Sequence, residues 1–146
     1  MATYSFQQVT ATLTGAAGVI NLGYGSANTK EGITVTQTQP RNAMTIGADG
    51  SVMHSLRADK SGTVTIRLLD TSSVNAQLQA MYDAQSLTPS AWGANVIVIV
   101  NKGNNETTTC RNVAFQNAPT VTYAEDGSTK EWVFDCGQID RVTGTY

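Results

Sequence analysis

The chain has 146 residues, which is enough for one domain with a sizeable core, and residues 1–146 are expected to form that single domain. Charged residues make up 14% of the sequence, below the roughly 25% typical of soluble globular proteins, and the net charge is −2. No run of Lys or Arg occurs, which argues against a protein that binds nucleic acid through a basic surface.

Strands are predicted along most of the chain because apolar and polar residues alternate with a period of two. In GITVTQTQ the isoleucine and the valine share one face, while the other face carries Thr34, Thr36 and Thr38. GTVTIRLL and TKEWVFDC alternate in the same way, and NVIVIV is apolar throughout, which predicts a central strand covered on both faces. Further strands are predicted at residues 5–13, 52–57, 107–113 and 120–123.

One segment, TSSVNAQLQAMYDAQSL, breaks this alternation and predicts an α-helix at about residues 72–86. Its apolar residues recur at the spacing i, i+4, i+7 and i+8, which places them in one stripe on a single helix face. The stripe consists of Val74, Leu78, Met81 and Tyr82. Thr71, Ser72 or Ser73 can cap the N-terminus, and Pro89 prevents the helix from continuing.

The only histidine, His54, lies on the strand predicted after the turn GADG, and it is the first candidate for catalysis. A hydrolase would need it beside a nucleophile and an acid. The neighbouring candidates are Ser51, Ser55, Asp49 and Asp59. No G-x-S-x-G elbow is present, Ser55 would face away from His54 on a strand, and aspartate is common in turns. We therefore predict no enzyme, and interpret His54 as a surface or subunit-contact residue.

The other reactive residues show no pattern of a chemical site. The one tight carboxylate pair, Glu125 and Asp126, lies in a turn and is interpreted as solvated. Cys110 and Cys136 belong to no C-x-x-C pair and are interpreted as buried thiols, although a disulfide stays open if their strands pair. The aromatic residues are too dispersed for a stacking platform and are predicted to pack in the core. These are Trp92, Trp132, Phe115, Phe134 and Tyr123. No cofactor or metal is expected.

Several stretches in fixed order resemble the tail tube proteins of contractile-tailed bacteriophages. They are GADGSVMHS, then SGTVTIRLLDTSSVNAQL, then EWVFDCGQID, and the resemblance runs from YSFQQVTATLTG to the final GQIDRVTG. The same architecture serves pyocin and type VI secretion tubes, from which the sequence does not separate this chain.

The resemblance implies a mainly β fold, an antiparallel β-sandwich or barrel of the tail tube type with one flanking α-helix. It also implies hexameric rings that stack into a hollow tube, in which strands of neighbouring subunits close into a barrel and through which the genome passes without specific binding. Expected partners are tail sheath, tape-measure and baseplate proteins. The expected location is the virion tail, assembled in the host bacterial cytoplasm. The N-terminus has no recognisable secretion signal, and no apolar run is long enough to span a membrane.

By the same analogy, a hairpin between GITVTQTQ and AMTIGADG is expected to reach an adjacent subunit or ring. Its expected tip is Pro40, Arg41 and Asn42, and its face with Thr34, Thr36 and Thr38 is expected to be an exposed barrel or contact surface.

A carbohydrate-binding β-sandwich of a tail or receptor-binding component is the alternative. It would need an exposed aromatic side chain beside amides and carboxylates, and Trp92 beside Gly93 is the loop aromatic that fits.

Overall fold

The computed structural model describes residues 2–16 and 18–146, and within them it contains nine strands and one α-helix. The strands of the first half are β1 (Val9–Gly15), β2 (Gly18–Asn21), β3 (Asn28–Gln37), β4 (Asn42–Ile46), β5 (Val52–Leu56) and β6 (Gly62–Leu69). The second half contains α1 (Val74–Ser86), β7 (Asn95–Asn101), β8 (Glu106–Asn117) and β9 (Thr129–Val142).

Seven of the strands form one curled antiparallel sheet, in the order β2-β1-β7-β8-β9-β6-β3. The remaining two, β4 and β5, pair only with each other among the described residues. The expected mainly β antiparallel fold with one helix is confirmed, and it takes the form of a half-barrel made from a single sheet.

The core lies between α1 and the sheet face that the helix covers. Period-two alternation directs one set of side chains from every strand of the sheet into this space, where Leu13, Ile66, Ile97 and Phe134 are fully buried. Phe115 joins the aromatic part of this core, with its ring centre 4.9 Å from that of Phe134. Burial of this apolar surface is the main term that stabilises the subunit.

The helix packs on the sheet through the apolar stripe seen in the sequence. Val74, Leu78 and Met81 are buried in the core, and Tyr82 packs against it. The N-cap position is Ser73, but the hydroxyl that accepts a backbone bond at this end belongs to Ser72, whose Oγ accepts from the Val74 N–H at 3.3 Å. Among the described residues no helix is long and apolar enough to cross a membrane.

A buried amide pair fixes the C-terminal end of α1 to the sheet. Gln85 Nε2 donates to Asn95 Oδ1 at 2.7 Å, and Asn95 Nδ2 donates back to Gln85 Oε1 at 2.9 Å. Gly15 on β1 leaves room for this pair, because a Cβ there would lie 2.4 Å from Asn95 Oδ1. Both amides of this pair thus have a partner, which avoids the cost of an unsatisfied polar group.

Two of the predicted strands, residues 5–13 and 120–123, differ from the structure. Residues 5–13 are not one strand, because the chain first makes a 3-10 turn at Phe6–Gln8 and β1 begins at Val9. Residues 120–123 form no strand, since none of the strands in the described part of the chain pairs with them, and Tyr123 is 95% exposed instead of lying in the core.

NVIVIV is an internal strand of the sheet, as predicted, but the core covers only its isoleucine face. The valines on its other face are half-buried and lie beside the threonines of β1 and β8.

Candidate self-assembly interface

The β4–β5 hairpin is closed by a glycine-aspartate turn. Gly47 N donates to Ser51 O at 2.7 Å, and Gly50 adopts φ +86°, a conformation that favours glycine. Asp49 Oδ1 accepts a hydrogen bond from Ser51 N at 3.0 Å, and the hydrogen bonds from Ser51 lower the pKa of the Asp49 carboxyl below its usual value. The GADG motif is therefore the hairpin tip.

The predicted hairpin tip at Pro40, Arg41 and Asn42 is wrong. β3 pairs with β6 and β4 pairs with β5, so residues 38–41 connect the main sheet to the hairpin and Asn42 begins β4. Pro40 is exposed in this connection, where its missing N–H costs no ladder hydrogen bond.

One face of the hairpin is apolar and exposed. Residues directly opposite each other in an antiparallel pair lie on the same face, and Met44 pairs with His54 while Ile46 pairs with Val52. The apolar side chains of this face are Met44 (57% exposed), Ile46 (60%), Val52 (55%) and Leu56 (80%). We call these four residues the apolar hairpin face. An isolated two-stranded hairpin is marginally stable in water, so such a face is typical of a surface that binds a partner.

His54 lies in the middle of the apolar hairpin face. Its Nδ1 is 3.3 Å from Asn42 Nδ2, so its hydrogen-bond partner is an amide and not a carboxylate. Asp49 and Ser51 bond to each other in the turn, and Ser55 is on the opposite face of β5. None of the neighbouring candidates Asp49, Ser51 and Ser55 forms a triad with His54.

The hairpin base carries two arginines. Arg57 Nη1 donates to Gln39 Oε1 at 2.9 Å, and Arg57 N donates to Arg41 O at 2.8 Å. Asp59 nearby has a lowered pKa, first because of hydrogen bonds from Ser61 and then because of the positive charges of the two arginines. The Nε atom of Arg41 is shielded from solvent, yet it makes no hydrogen bond within the described residues.

The sheet face opposite the core is rich in threonine. Thr34 and Thr36 are exposed on this face of β3, and they lie opposite Thr65 and Thr63 of β6. Thr34 Oγ1 accepts a hydrogen bond from Arg67 Nη1 at 3.0 Å. Thr38 lies beyond the strand, is exposed, and donates its N–H to Ser61 O at 3.1 Å.

The two edges of the curled sheet are formed by β2 and β3. Each pairs with a neighbour on one side only among the described residues, so each presents unpaired backbone N–H and C=O groups. Such edges are ready to pair with strands of another chain.

No group of three or more metal-ligating side chains is present among the residues that the structure describes. An open groove of about 640 Å³ is lined by a mixture of apolar and polar or charged side chains, and two of the charged ones pair, with Glu106 Oε1 3.9 Å from Arg141 Nε. Trp92 is 37% exposed and packs edge-on against Tyr82, at 5.8 Å between ring centres.

Cys110 and Cys136 are both free thiols buried in the core, on the paired strands β8 and β9. The hydrogen bond with Cys110 and burial raise the pKa of the Cys136 thiol, so that group stays protonated near neutral pH.

Comparison with known proteins identifies relatives by sequence and by fold. The family model described as Bacteriophage PhiTE tail tube protein matches residues 1–144. No curated protein is similar to this chain in sequence.

Three solved structures show the same fold over at least 91% of this chain. One is the sheath/tube terminator of the extracellular contractile injection system PVC, in the extended state, with 10% identity, a TM-score of 0.61, and 97% of this chain and 98% of that chain covered. Another is the tube-terminating cap of the anti-feeding prophage, with 10% identity, a TM-score of 0.58, and 99% and 95% covered. A third, the PVC sheath-tube complex in its extended state, matches with 9% identity, a TM-score of 0.52, and 91% and 88% covered.

Proposed function

This chain belongs to the bacteriophage PhiTE tail tube protein family, and from that premise we propose that it forms hexameric rings that stack into a hollow tube. Its role is structural, of the tail tube type, and its place is the virion tail. The tube conducts the phage genome into the host, and assembly takes place in the host bacterial cytoplasm.

The observation that carries the proposal is the apolar hairpin face. A monomer leaves Met44, Ile46, Val52 and Leu56 more than half exposed, on a hairpin that pairs with no other strand of the described residues. Burying one such side chain completely is worth about 1.5–3 kcal/mol, so covering the face against another subunit is a strong driving force for assembly.

The sheet edges support closure within a ring. If β3 of one subunit pairs with β2 of the next, both edges gain backbone hydrogen bonds and six curled sheets close around a lumen. The threonine-rich face, including Thr34 and Thr36, then lines that lumen, since the other face is covered by the core. We expect Thr38 and the connection through Pro40, Arg41 and Asn42 at subunit contacts.

Passage of the genome without binding follows from the charges of this face. Two of its cations are paired: Arg67 Nε lies 3.7 Å from Glu131 Oε2, and Arg111 Nη1 contacts Asp140 Oδ2 at 2.5 Å. The net charge of −2 per subunit is multiplied in every ring, and a negative tube repels phosphates. The tube in turn contacts sheath, baseplate and tape-measure proteins; chains with a fold similar to this one occur in the PVC sheath-tube complex and in the anti-feeding prophage baseplate.

A second candidate function is a single ring that ends a tube. It is favoured by the two neighbours described as a tube terminator and a tube-terminating cap. A terminator stops growth, whereas a tube subunit polymerises by itself at sufficient concentration.

The test is assembly of a variant that makes the hairpin polar, Ile46→Thr with Leu56→Thr. We expect the purified variant to stay folded by circular dichroism while its tubes disappear from negative-stain images. The matched control, Thr45→Ala with Ser55→Ala, changes the other face of the same hairpin and should assemble like the unaltered protein. Normal tubes from the polar variant would contradict the proposal.

A further inference from the structure

Two exposed surfaces lie at opposite ends of the curled sheet. Residues 38–61, which include the hairpin, lie beyond the end of β6 where Gly62 pairs with Gln37. Residues 118–128, which we call the acidic loop, lead into β9 at the other end, where Thr129 pairs with Leu69. β6 has eight residues, so the two ends are roughly 23 Å apart at about 3.3 Å per residue.

The acidic loop is exposed and unlike an ordinary solvated turn. It contains Glu125 and Asp126 and no basic residue, together with two apolar or aromatic side chains that are more than half exposed. Tyr123 is 95% exposed and Val121 is 53% exposed. A surface that combines apolar area with charge of one sign is typical of a protein–protein contact.

The hairpin end has the complementary properties. It combines the apolar hairpin face with Arg41 and Arg57 at its base, and the buried Nε of Arg41 has no hydrogen-bond acceptor within the described residues. A carboxylate from outside the chain would satisfy that donor with a charge-assisted hydrogen bond. Asp59 lies near both arginines, but it accepts hydrogen bonds chiefly from Ser61.

We infer that the hairpin end of one copy binds the acidic loop of a second copy, and that this head-to-tail contact joins one ring to the next. The inference rests on the proposed function and names the partner surface of the hairpin. A contact between different surfaces at opposite ends of a subunit repeats without closing, which is the geometry of an open filament. Tyr123 and Val121 cover part of the apolar hairpin face, while Glu125 and Asp126 meet Arg41 and Arg57.

The experiment is a reciprocal charge exchange, with tube assembly followed by sedimentation and negative-stain microscopy. Reversal of the loop, Glu125→Lys with Asp126→Lys, should leave rings but raise the concentration needed for tubes by about tenfold or more, since each ring carries several such contacts. Reversal of the base, Arg41→Glu with Arg57→Glu, should have the same effect. Combining all four substitutions should restore most of the tubes.

The controls distinguish an effect of charge at the proposed contact from a general effect of charge and from loss of the folded structure. Asp83→Lys makes the same type of charge change on the exposed side of α1 and should leave tubes unchanged. Circular dichroism verifies the fold of each variant, and if the half-buried Arg41 variant unfolds, Arg57→Glu alone replaces it in the exchange.

If reversal of the loop leaves the concentration needed for tubes unchanged, this inference alone is overturned. The same holds if the variant with all four substitutions folds but does not regain tube assembly. Absence of tubes and rings from the unaltered protein overturns the proposed function as well.

Discussion

Leu78 in α1 provides a direct test of how the helix stabilises the subunit. It is fully buried and lies at the centre of the apolar stripe that packs on the sheet. Leu78→Ala removes three carbon atoms from the core, and at about 0.8 kcal/mol for each buried methylene the lost transfer free energy is about 2.4 kcal/mol. The cavity left behind raises the cost, so we expect a loss of about 2–5 kcal/mol in the free energy of unfolding.

The assay is urea unfolding of the unassembled subunit, followed by tryptophan fluorescence because Trp132 lies in the same core. A chain of this size should also lose roughly 5–15 °C in thermal midpoint. Gln77→Ala is the matched control, because Gln77 is exposed on the same helix and its substitution should change stability by less than about 0.5 kcal/mol. A Leu78→Ala subunit as stable as the unaltered one would refute this account of the core.

Three further predictions concern buried or turn residues. Cys110 and Cys136 should react with a thiol reagent only after unfolding, because both are buried and the pKa of Cys136 is raised. Asn95→Ala should destabilise the subunit by about 1–3 kcal/mol in urea unfolding, because it leaves the amide of Gln85 buried without a partner. For Asp49, whose folded pKa is lowered, the stabilisation of the hairpin turn should be present above about pH 4 and be lost as pH falls through the folded pKa, as an NMR titration of its carboxyl would show.

Each of these has a clear contrary result. Rapid labelling of two thiols in the folded protein would show that the core around β8 and β9 opens readily. Unchanged stability of the Asn95 variant would mean that water replaces the lost amide. A carboxyl that titrates at its ordinary value, or equal stability of the hairpin turn in the unaltered protein and in Asp49→Asn at neutral pH, would contradict the turn geometry.

Local patterns in the sequence predict much of this fold. Alternation of apolar and polar residues located most strands, and the spacing of Val74, Leu78 and Met81 located the helix and its buried side. Both spacings arise from the geometry of the strand or helix itself, so a short stretch of sequence is enough to recognise them.

Strand pairing could not be predicted in the same way, because it depends on residues far apart in the chain. β3 pairs with β6 and not with the adjacent β4, and both the connection at Pro40 and the turn at Asp49 contain residues typical of turns. Residues 120–123 alternate like a strand but have no partner strand, which the local pattern does not reveal.

The apolar hairpin face was missed for a related physical reason. Met44, Ile46, Val52 and Leu56 alternate with polar residues just as core positions do, so the sequence alone gives no sign that they are exposed. A signal was nevertheless present in the Asp-Gly turn between two short apolar segments, which specifies a hairpin. Thr34, Thr36, Thr38, Pro40, Arg41 and Asn42 stay predicted contact residues.

Electron microscopy of the purified protein tests the central claim most directly. Concentrated, unmodified protein should form long hollow tubes whose end views have six-fold symmetry, and in a cryo-EM map the apolar hairpin face should be buried against another subunit. Monomers at every concentration, or tubes in which Met44, Ile46, Val52 and Leu56 remain exposed to solvent, would contradict the account.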